Sequence, residues 1–134
     1  MLYARLFLIG LMPLFANAVQ ADEPRVIPLT EAAKHVDQNC TIEFTVNSSR
    51  LLADKNICFL NSERDHRDEK NFTAVVMKDG LEKFRTAGIA DPATHFQGKK
   101  IRVTGKVALH EQKPQIVVNE ASQITLVKEK PATK

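Results

Sequence analysis

Apolar and polar side chains alternate along several short stretches of this chain. In CTIEFTV, the side chains of Cys40, Ile42, Phe44 and Val46 fall on one face of an extended backbone, with polar side chains on the other. This alternation predicts a half-buried strand. Further runs rich in β-branched and aromatic residues predict four more strands and a terminal extension: NICFLN (56–61), FTAVVMK (72–78), KKIRVTGKVAL (99–109), PQIVV (114–118) and, as the extension, QITLV (123–127).

Helical patterns occur in two places. Thr30 is a good N-cap and is followed by residues that favour helix, which predicts a short helix from Glu31 to Val36. In DGLEKFRTAGIADPATHFQG (79–98), Leu81 and Phe84 stand at helical spacing before glycine and proline residues end the pattern. A helical insert is therefore expected between the third and fourth strands.

The order of these elements predicts a mainly β fold. Regular short strands with a single helical insert between strands 3 and 4, and a short N-terminal helix, are typical of the five-stranded Greek-key barrel known as the OB-fold. Gly105 lies between Val103 and Val107 on the inward face, so we expect it to replace a core side chain at a sharp bend of the strand. The side chains expected to face inward are Ile42, Phe44, Val46, Ile101, Val103 and Ile116.

The first residues have the composition of a cleaved signal peptide. Arg5 precedes an apolar run from Leu6 to Phe15, and small-x-small cleavage sites end at Ala18 and Ala21. A membrane anchor is the alternative, but the run is about half of the roughly twenty residues that span a bilayer. The sequence thus predicts a periplasmic or secreted protein with three regions: a signal peptide over 1–21, an OB-fold domain over 22–127 and a disordered polar tail over 128–134.

Composition argues against strong general attraction to polyanions. The net charge is +3, and only Arg5 among the charged residues lies in the predicted signal peptide, so the mature chain would be close to balanced. The chain has no Trp, and its single tyrosine, Tyr3, also lies in the signal. Any aromatic stacking by the mature chain would therefore depend on phenylalanine.

The stretch GKKIRVTGKVALHEQKPQIVVNEASQITLV (98–127) resembles the last two strands of nucleic-acid-binding OB-fold domains of the anticodon-binding and helicase-associated type. The shared pattern is apolar-x-apolar-x-Gly-x-apolar, a variable loop, an apolar strand ending in a polar turn, and a further apolar pair. An exported single domain is also similar to small periplasmic OB-fold proteins, whose partners are broader than nucleic acid. The resemblance implies the fold, but this fold hosts many unrelated ligands.

The resemblance also implies where a ligand would lie. In such domains the ligand crosses the second and third strands between two flanking loops, which correspond here to Asn47–Asn56 and His110–Pro114. Stacking on a base would depend on Phe59 or Phe72, although burial in the core is the favoured interpretation of both rings. The cationic side chains expected near this face are Arg50, Lys55, Arg64, Lys78 and Lys113.

Other reactive residues do not form a recognisable catalytic or metal site. The stretch ERDHRDEK (63–70) alternates acids with basic residues and lacks the spacing of a metal loop, so a solvated turn without metal or cofactor is expected. No nucleophile has an identifiable base, so no enzymatic activity is expected. Cys40 and Cys58 begin strands whose starts lie at opposite ends of a hairpin, which favours two separate thiols over a disulfide.

Two functions of different classes remain. The first is an exported, non-enzymatic OB-fold binding module that takes single-stranded nucleic acid or another extended polar or anionic ligand. The alternative is a periplasmic protein-interaction or envelope-stress module with no nucleic-acid role, in which a strand edge or the loops hold another envelope protein. Neither would be inserted in the membrane after signal cleavage. Binding that weakens with salt would favour the first function.

Overall fold

The computed structural model describes residues 25–128. The predicted signal peptide and residues 129–134 of the predicted tail therefore lie outside the described part of the chain. The described strands are β1 (Arg25–Ile27), β2 (Asn39–Thr45), β3 (Ser48–Leu52), β4 (Ile57–Asn61), β5 (Thr73–Val76), β6 (Lys100–His110), β7 (Lys113–Val118) and β8 (Ile124–Leu126). The five predicted strands correspond to β2, β4, β5, β6 and β7, and the predicted extension is β8.

The helices differ in detail from the predicted ones. The expected N-terminal helix is a 3-10 helix, Leu29–His35, which starts before Thr30, so this threonine is not its N-cap. The insert contains two α-helices, α1 (Lys78–Thr86) and α2 (Pro92–Phe96). Asp91 starts the second because its side chain accepts hydrogen bonds from the backbone N–H groups of Ala93 and Thr94. Short 3-10 turns also occur at Ala53–Lys55 and Ala121–Gln123.

The strands form one hydrogen-bonded path in the order β1-β2-β6-β7-β5-β4-β3, with β8 paired to β6. The path is not closed by a ladder between its two ends. However, β2 and β3 are consecutive in the chain, and only Val46 and Asn47 join them. The N–H of Val46 donates to the Lys99 carbonyl and the N–H of Asn47 donates to the Asn61 carbonyl, both at 2.9 Å. Over residues 25–128 the result is a mainly β, OB-like fold with eight strands instead of the predicted five.

Two predicted loops are shorter in the structure than in the sequence interpretation. Half of Asn47–Asn56 is strand β3, which pairs with β4 from Ser48↔Asn61 to Leu52↔Ile57. The segment SSRLL shows no apolar alternation, so its strand depends on this tertiary partner. The second loop, His110–Pro114, is a tight turn: β6 and β7 pair up to His110↔Lys113, leaving only two residues between them.

The core confirms the predicted inward face. All six predicted side chains, Ile42, Phe44, Val46, Ile101, Val103 and Ile116, are buried. The ring of Phe44 meets the ring of Phe72 edge to face, with centroids 5.4 Å apart. The helical insert covers one end of this core, where Phe84 of α1 packs edge-on against Phe96 of α2 at 5.7 Å.

Gly105 lies where β6 changes partners. Residues 100–106 of this strand pair with β2, and residues 107–110 pair with β7. A Cβ atom at Gly105 would lie 2.6 Å from Cγ2 of Ile116 and 3.0 Å from Nε2 of Gln123. The prediction that this glycine allows a close approach to the adjoining strand is confirmed.

The two cysteines are separate. Cys40 pairs with Gly105 across β2 and β6, whereas Cys58 lies on β4, and both thiols are free and buried. Burial raises the pKa of the Cys58 thiol to about 12. Among the described residues, no helix is long and apolar enough to cross a membrane. The same part of the chain contains no cluster of His, Cys, Asp and Glu that could hold a metal ion.

Candidate functional site

The outer face of the β3-β4-β5-β7 sheet carries two rows of side chains. Alternation sends Cys58 and Leu60 of β4 into the core, so Phe59 and Asn61 face outward. The register continues each row across the sheet, because residues paired in neighbouring strands lie side by side on the same face. One row is Arg50, Phe59, Val75 and Val117, and the other is Ser48, Asn61, Thr73 and Gln115.

Five residues of these rows form the floor of a groove of about 330 Å³: Arg50, Phe59, Asn61, Thr73 and Gln115. The β6–β7 turn lies along one side of the groove, and the β4–β5 loop, residues 62–72, lies along another. The lining side chains are Arg50, Leu52, Phe59, Asn61, His66, Arg67, Asn71, Thr73, His110, Glu111, Lys113, Pro114 and Gln115. The groove thus combines an aromatic ring, a polar end and several cationic groups.

Three polar side chains at the floor bond to one another. The hydroxyl of Thr73 donates to Oδ1 of Asn61 at 2.8 Å, and Nδ2 of Asn71 donates to the same oxygen at 3.2 Å and to the Thr73 hydroxyl at 3.0 Å. The Glu63 backbone N–H donates to Oδ1 of Asn71 at 3.0 Å, which ties this network to the β4–β5 loop. These hydrogen bonds restrict the orientation of the three side chains.

The cationic side chains at the rim of the groove differ from one another in the contacts that they form. Nζ of Lys113 donates to the His66 carbonyl at 3.2 Å, so this lysine links β7 to the β4–β5 loop. Nε of Arg67 lies 3.0 Å from Oδ1 of Asp65, and hydrogen bonds from the Arg67 side chain and backbone lower the pKa of Asp65 to about 2. Arg50 is exposed and forms no ion pair within residues 25–128. Glu111, exposed at the turn, is the acidic residue among the groove-lining side chains.

The structure brings together three of the seven residues predicted for a ligand site. Arg50, Phe59 and Lys113 all line the groove. The exposed side chains of Lys55, Arg64 and Lys78 do not: they lie on the 3-10 turn before β4, in the β4–β5 loop and at the start of α1.

The prediction that Phe72 belongs to the ligand site is wrong. Its ring is 1 % exposed and packs on Phe44, so it is a core side chain and not a stacking platform. Its backbone N–H donates to the Ser62 hydroxyl at 2.9 Å, and this hydrogen bond joins the two ends of the β4–β5 loop. The favoured sequence interpretation of this ring, core burial, is confirmed.

Several of the residues that line the groove were not predicted from the sequence. Asn61 and Thr73 could have been found from strand alternation, because they share a face with the outward positions of β4 and β5. His66 and Arg67 belong to the stretch interpreted as a solvated turn. That turn is exposed, as expected, but it also borders the groove. The sequence contains no local signal for that placement.

Comparison with known proteins supports the fold only. No protein-family model matches the chain, and no curated protein is similar to it in sequence. A structure described as an aspartyl-tRNA synthetase of Leishmania major Friedlin is similar with a TM-score of 0.52 and 16 % identity over 92 % of this chain. The aspartyl-tRNA synthetase of Entamoeba histolytica is similar with a TM-score of 0.51 and 19 % identity over 90 % of this chain. This chain spans 24 % and 25 % of those two proteins.

Proposed function

We propose that this protein is an exported binding module without enzymatic activity, whose groove takes single-stranded nucleic acid. The proposal depends mainly on the position of the Phe59 ring in the groove. The ring lies between Arg50, its partner on the neighbouring strand β3, and the side of the groove that holds Lys113. Proteins that bind single strands combine cationic grooves with aromatic platforms on which bases stack. The similar structures are synthetases named for a tRNA, which agrees with a nucleic-acid ligand.

The proposal includes a finer interpretation of the fold. If β2 and β3 are counted as one bent strand, then β4, β5, β6 and β7 complete the five strands of an OB-fold. The groove then crosses the second and third of these strands beside the turn between the fourth and fifth. Ligands of OB-folds bind at this place.

Salt dependence tests the proposal. A labelled oligonucleotide of about eight nucleotides, within the site size of one OB-fold, is titrated at several salt concentrations. Each phosphate neutralised lowers log K by roughly 0.7 per unit of log salt. Replacing Arg50 and Lys113 together by alanine should therefore flatten the slope by about 1.4 units.

A matched double variant serves as control. Arg85→Ala with Lys99→Ala removes two exposed cations on the helical insert and its exit, outside the groove, and should leave the slope unchanged. Lys55→Ala should also have no effect, because Lys55 does not line the groove. Absence of binding even at low salt would reject the nucleic-acid function and favour the envelope protein-interaction module.

Export is tested independently of the ligand. The full chain, expressed with its N-terminus intact in a bacterial host, should be recovered from the periplasmic fraction or medium. The mass of the recovered protein should correspond to cleavage after Ala18 or Ala21. Recovery of the uncleaved chain from the cytoplasm would contradict the proposed location without affecting the proposed ligand.

A further inference from the structure

Asn61 is an amide side chain buried at the floor of the groove, with 6 % of its surface exposed. The orientation of this amide follows from its neighbours. The Glu63 backbone N–H can only donate, and it donates to Oδ1 of Asn71 at 3.0 Å. This bond fixes the orientation of the Asn71 amide, so that its Nδ2 is directed towards Asn61.

The same argument fixes the orientation of the Asn61 amide. Because Nδ2 of Asn71 is a donor, the atom of Asn61 that lies 3.2 Å from it must be the oxygen. The Thr73 hydroxyl donates to that oxygen as well, at 2.8 Å. The oxygen of Asn61 is thus used twice inside the network, and its NH₂ group lies on the other side. Within the described part of the chain, no acceptor forms a hydrogen bond with that NH₂ group.

Buried donors are nearly always satisfied in folded proteins, so an unpaired one calls for an explanation. A ligand acceptor in the groove would satisfy it. Asn61 and Phe59 are two residues apart on the same face of β4, so a base stacked on the ring would turn its edge towards the amide. Unpaired bases are read on this edge by hydrogen bonds.

We propose that Asn61 is a base-reading donor, which favours a base carrying a keto oxygen over one carrying an exocyclic amino group at the same place. The inference rests on the proposed function and adds a specificity to it. The oxygen of this amide is occupied within the network and its unpaired group is a donor, so an amino group would meet it donor to donor. Thymine and cytosine provide the matched pair. They are of similar size, and position 4 carries a keto oxygen in thymine and an amino group in cytosine.

The test compares oligo(dT) with oligo(dC) of equal length on the intact protein. The wild type should bind oligo(dT) about tenfold more tightly. Asn61→Ala should bind both strands with similar affinity. The side-chain NH₂ resonances of Asn61, observed in ¹⁵N-labelled wild-type protein, should shift on addition of oligo(dT), and this measurement does not depend on the folding of any variant.

A second variant tests the orientation argument. In Asn71→Asp the Glu63 N–H still has its acceptor, but the Asn71 donor to Asn61 is lost, and the Thr73 hydroxyl, the other donor to Asn61, can donate to the introduced carboxylate instead. Asn61 should then turn its NH₂ group towards the introduced carboxylate and present its oxygen to the groove, which would reverse the preference to oligo(dC). Loss of a merely structural contact would weaken both complexes equally. Urea midpoints of the variants are measured in parallel.

The outcomes separate this inference from the proposed function. Equal affinity of the wild type for the two strands, or unshifted Asn61 resonances in the oligo(dT) complex, would overturn the base-reading role while leaving single-strand binding in place. If neither strand binds at any salt concentration, both the proposed function and this inference fail.

Discussion

At the scale of single residues, the two faces of one strand have different roles. On β4 the thiol of Cys58 is fully buried and its pKa is raised to about 12 by burial, whereas Phe59 on the other face lines the groove. Alternation alone predicts this division once the strand phase is known. The sequence favoured burial for both Phe59 and Phe72, whereas only Phe72 is buried in the core and Phe59 lines the groove; both rings occur in strand-like runs, and only their tertiary partners differ.

We expect Phe59→Ala to weaken oligonucleotide binding by about 1–3 kcal/mol, the contribution of one stacked base. The matched variant is Phe44→Ala, which removes a ring that is 4 % exposed and packed on Phe72. It should cost about 3–5 kcal/mol of the free energy of unfolding in urea. If Phe44→Ala cost less than about 1 kcal/mol, the ring could not be part of a well-packed core.

Gly105→Val should be strongly destabilising, because the added Cβ would lie closer to Ile116 and Gln123 than ordinary van der Waals contact allows. Lys106→Val is the control: it places the same side chain at the next, exposed position of β6. Gly98 would be a poor control, since its φ of +81° strains any side chain. Equal urea midpoints for the two valine variants would contradict the close approach.

The Cys58 thiol should resist alkylation in the native protein at pH 8. Only the thiolate reacts, and a thiol with a pKa of about 12 remains protonated until the pH approaches that value. In urea the group regains an ordinary thiol pKa and becomes accessible, so labelling should follow unfolding. Labelling at pH 8 that is as fast in the native protein as in the unfolded protein would show that the side chain is not buried.

At the scale of elements, the strands with clear alternation were predictable and those defined by their partners were not. The predicted strands appear as β2, β4, β5, β6 and β7, with boundaries shifted by a few residues. The strand β3 was missed because Leu51 and Leu52 are adjacent in sequence, and its backbone is ordered by pairing with β4. The short edge strand β1 was missed as well: its three residues, Arg25–Ile27, are too few to show a period.

The β6–β7 turn holds Glu111 and Gln112 at φ values of 53° and 71°. Two consecutive residues with positive φ are typical of the hairpin turns that favour Asn-Gly. We expect the double variant Glu111→Asn with Gln112→Gly to raise the urea midpoint, because Gly, and to a lesser degree Asn, adopts positive φ without the cost of roughly 1–2 kcal/mol that other residues carry there. The reverse change, Gln112→Val, should lower it, because β-branched residues avoid this region. A lower midpoint for the Asn-Gly variant would mean that these side chains stabilise the turn through contacts.

At the scale of the whole molecule, the positions of the charged side chains say more about binding than the net charge does. The net charge of +3 gives little general attraction for a polyanion. Arg50 and Lys113 nevertheless meet at one groove through chain segments more than sixty residues apart in sequence, a proximity created only by folding. The sequence could therefore predict the groove through a resemblance, and strand alternation places Asn61 on its face, but no sequence pattern predicts the hydrogen bonds between the amides at its floor.

Ligand binding should be visible in the stability of the whole domain. A ligand that binds only the native state at a hundred times its Kd adds about 2.7 kcal/mol, which corresponds to a rise in Tm on the order of 10 °C for a domain of this size. This rise should shrink as salt weakens the complex. The free protein should respond much less to salt, because its ion pairs, such as Lys83–Glu120, are exposed and contribute little.

The double variant Arg50→Ala with Lys113→Ala provides the decisive comparison. Without oligonucleotide, its Tm should stay close to that of the wild type, since Arg50 is exposed and Lys113 loses only one hydrogen bond to the His66 carbonyl. With oligonucleotide, its rise in Tm should be smaller at low salt and should depend less on salt, because two phosphate contacts are gone. An equal rise in both proteins at every salt concentration would place the ligand away from the groove.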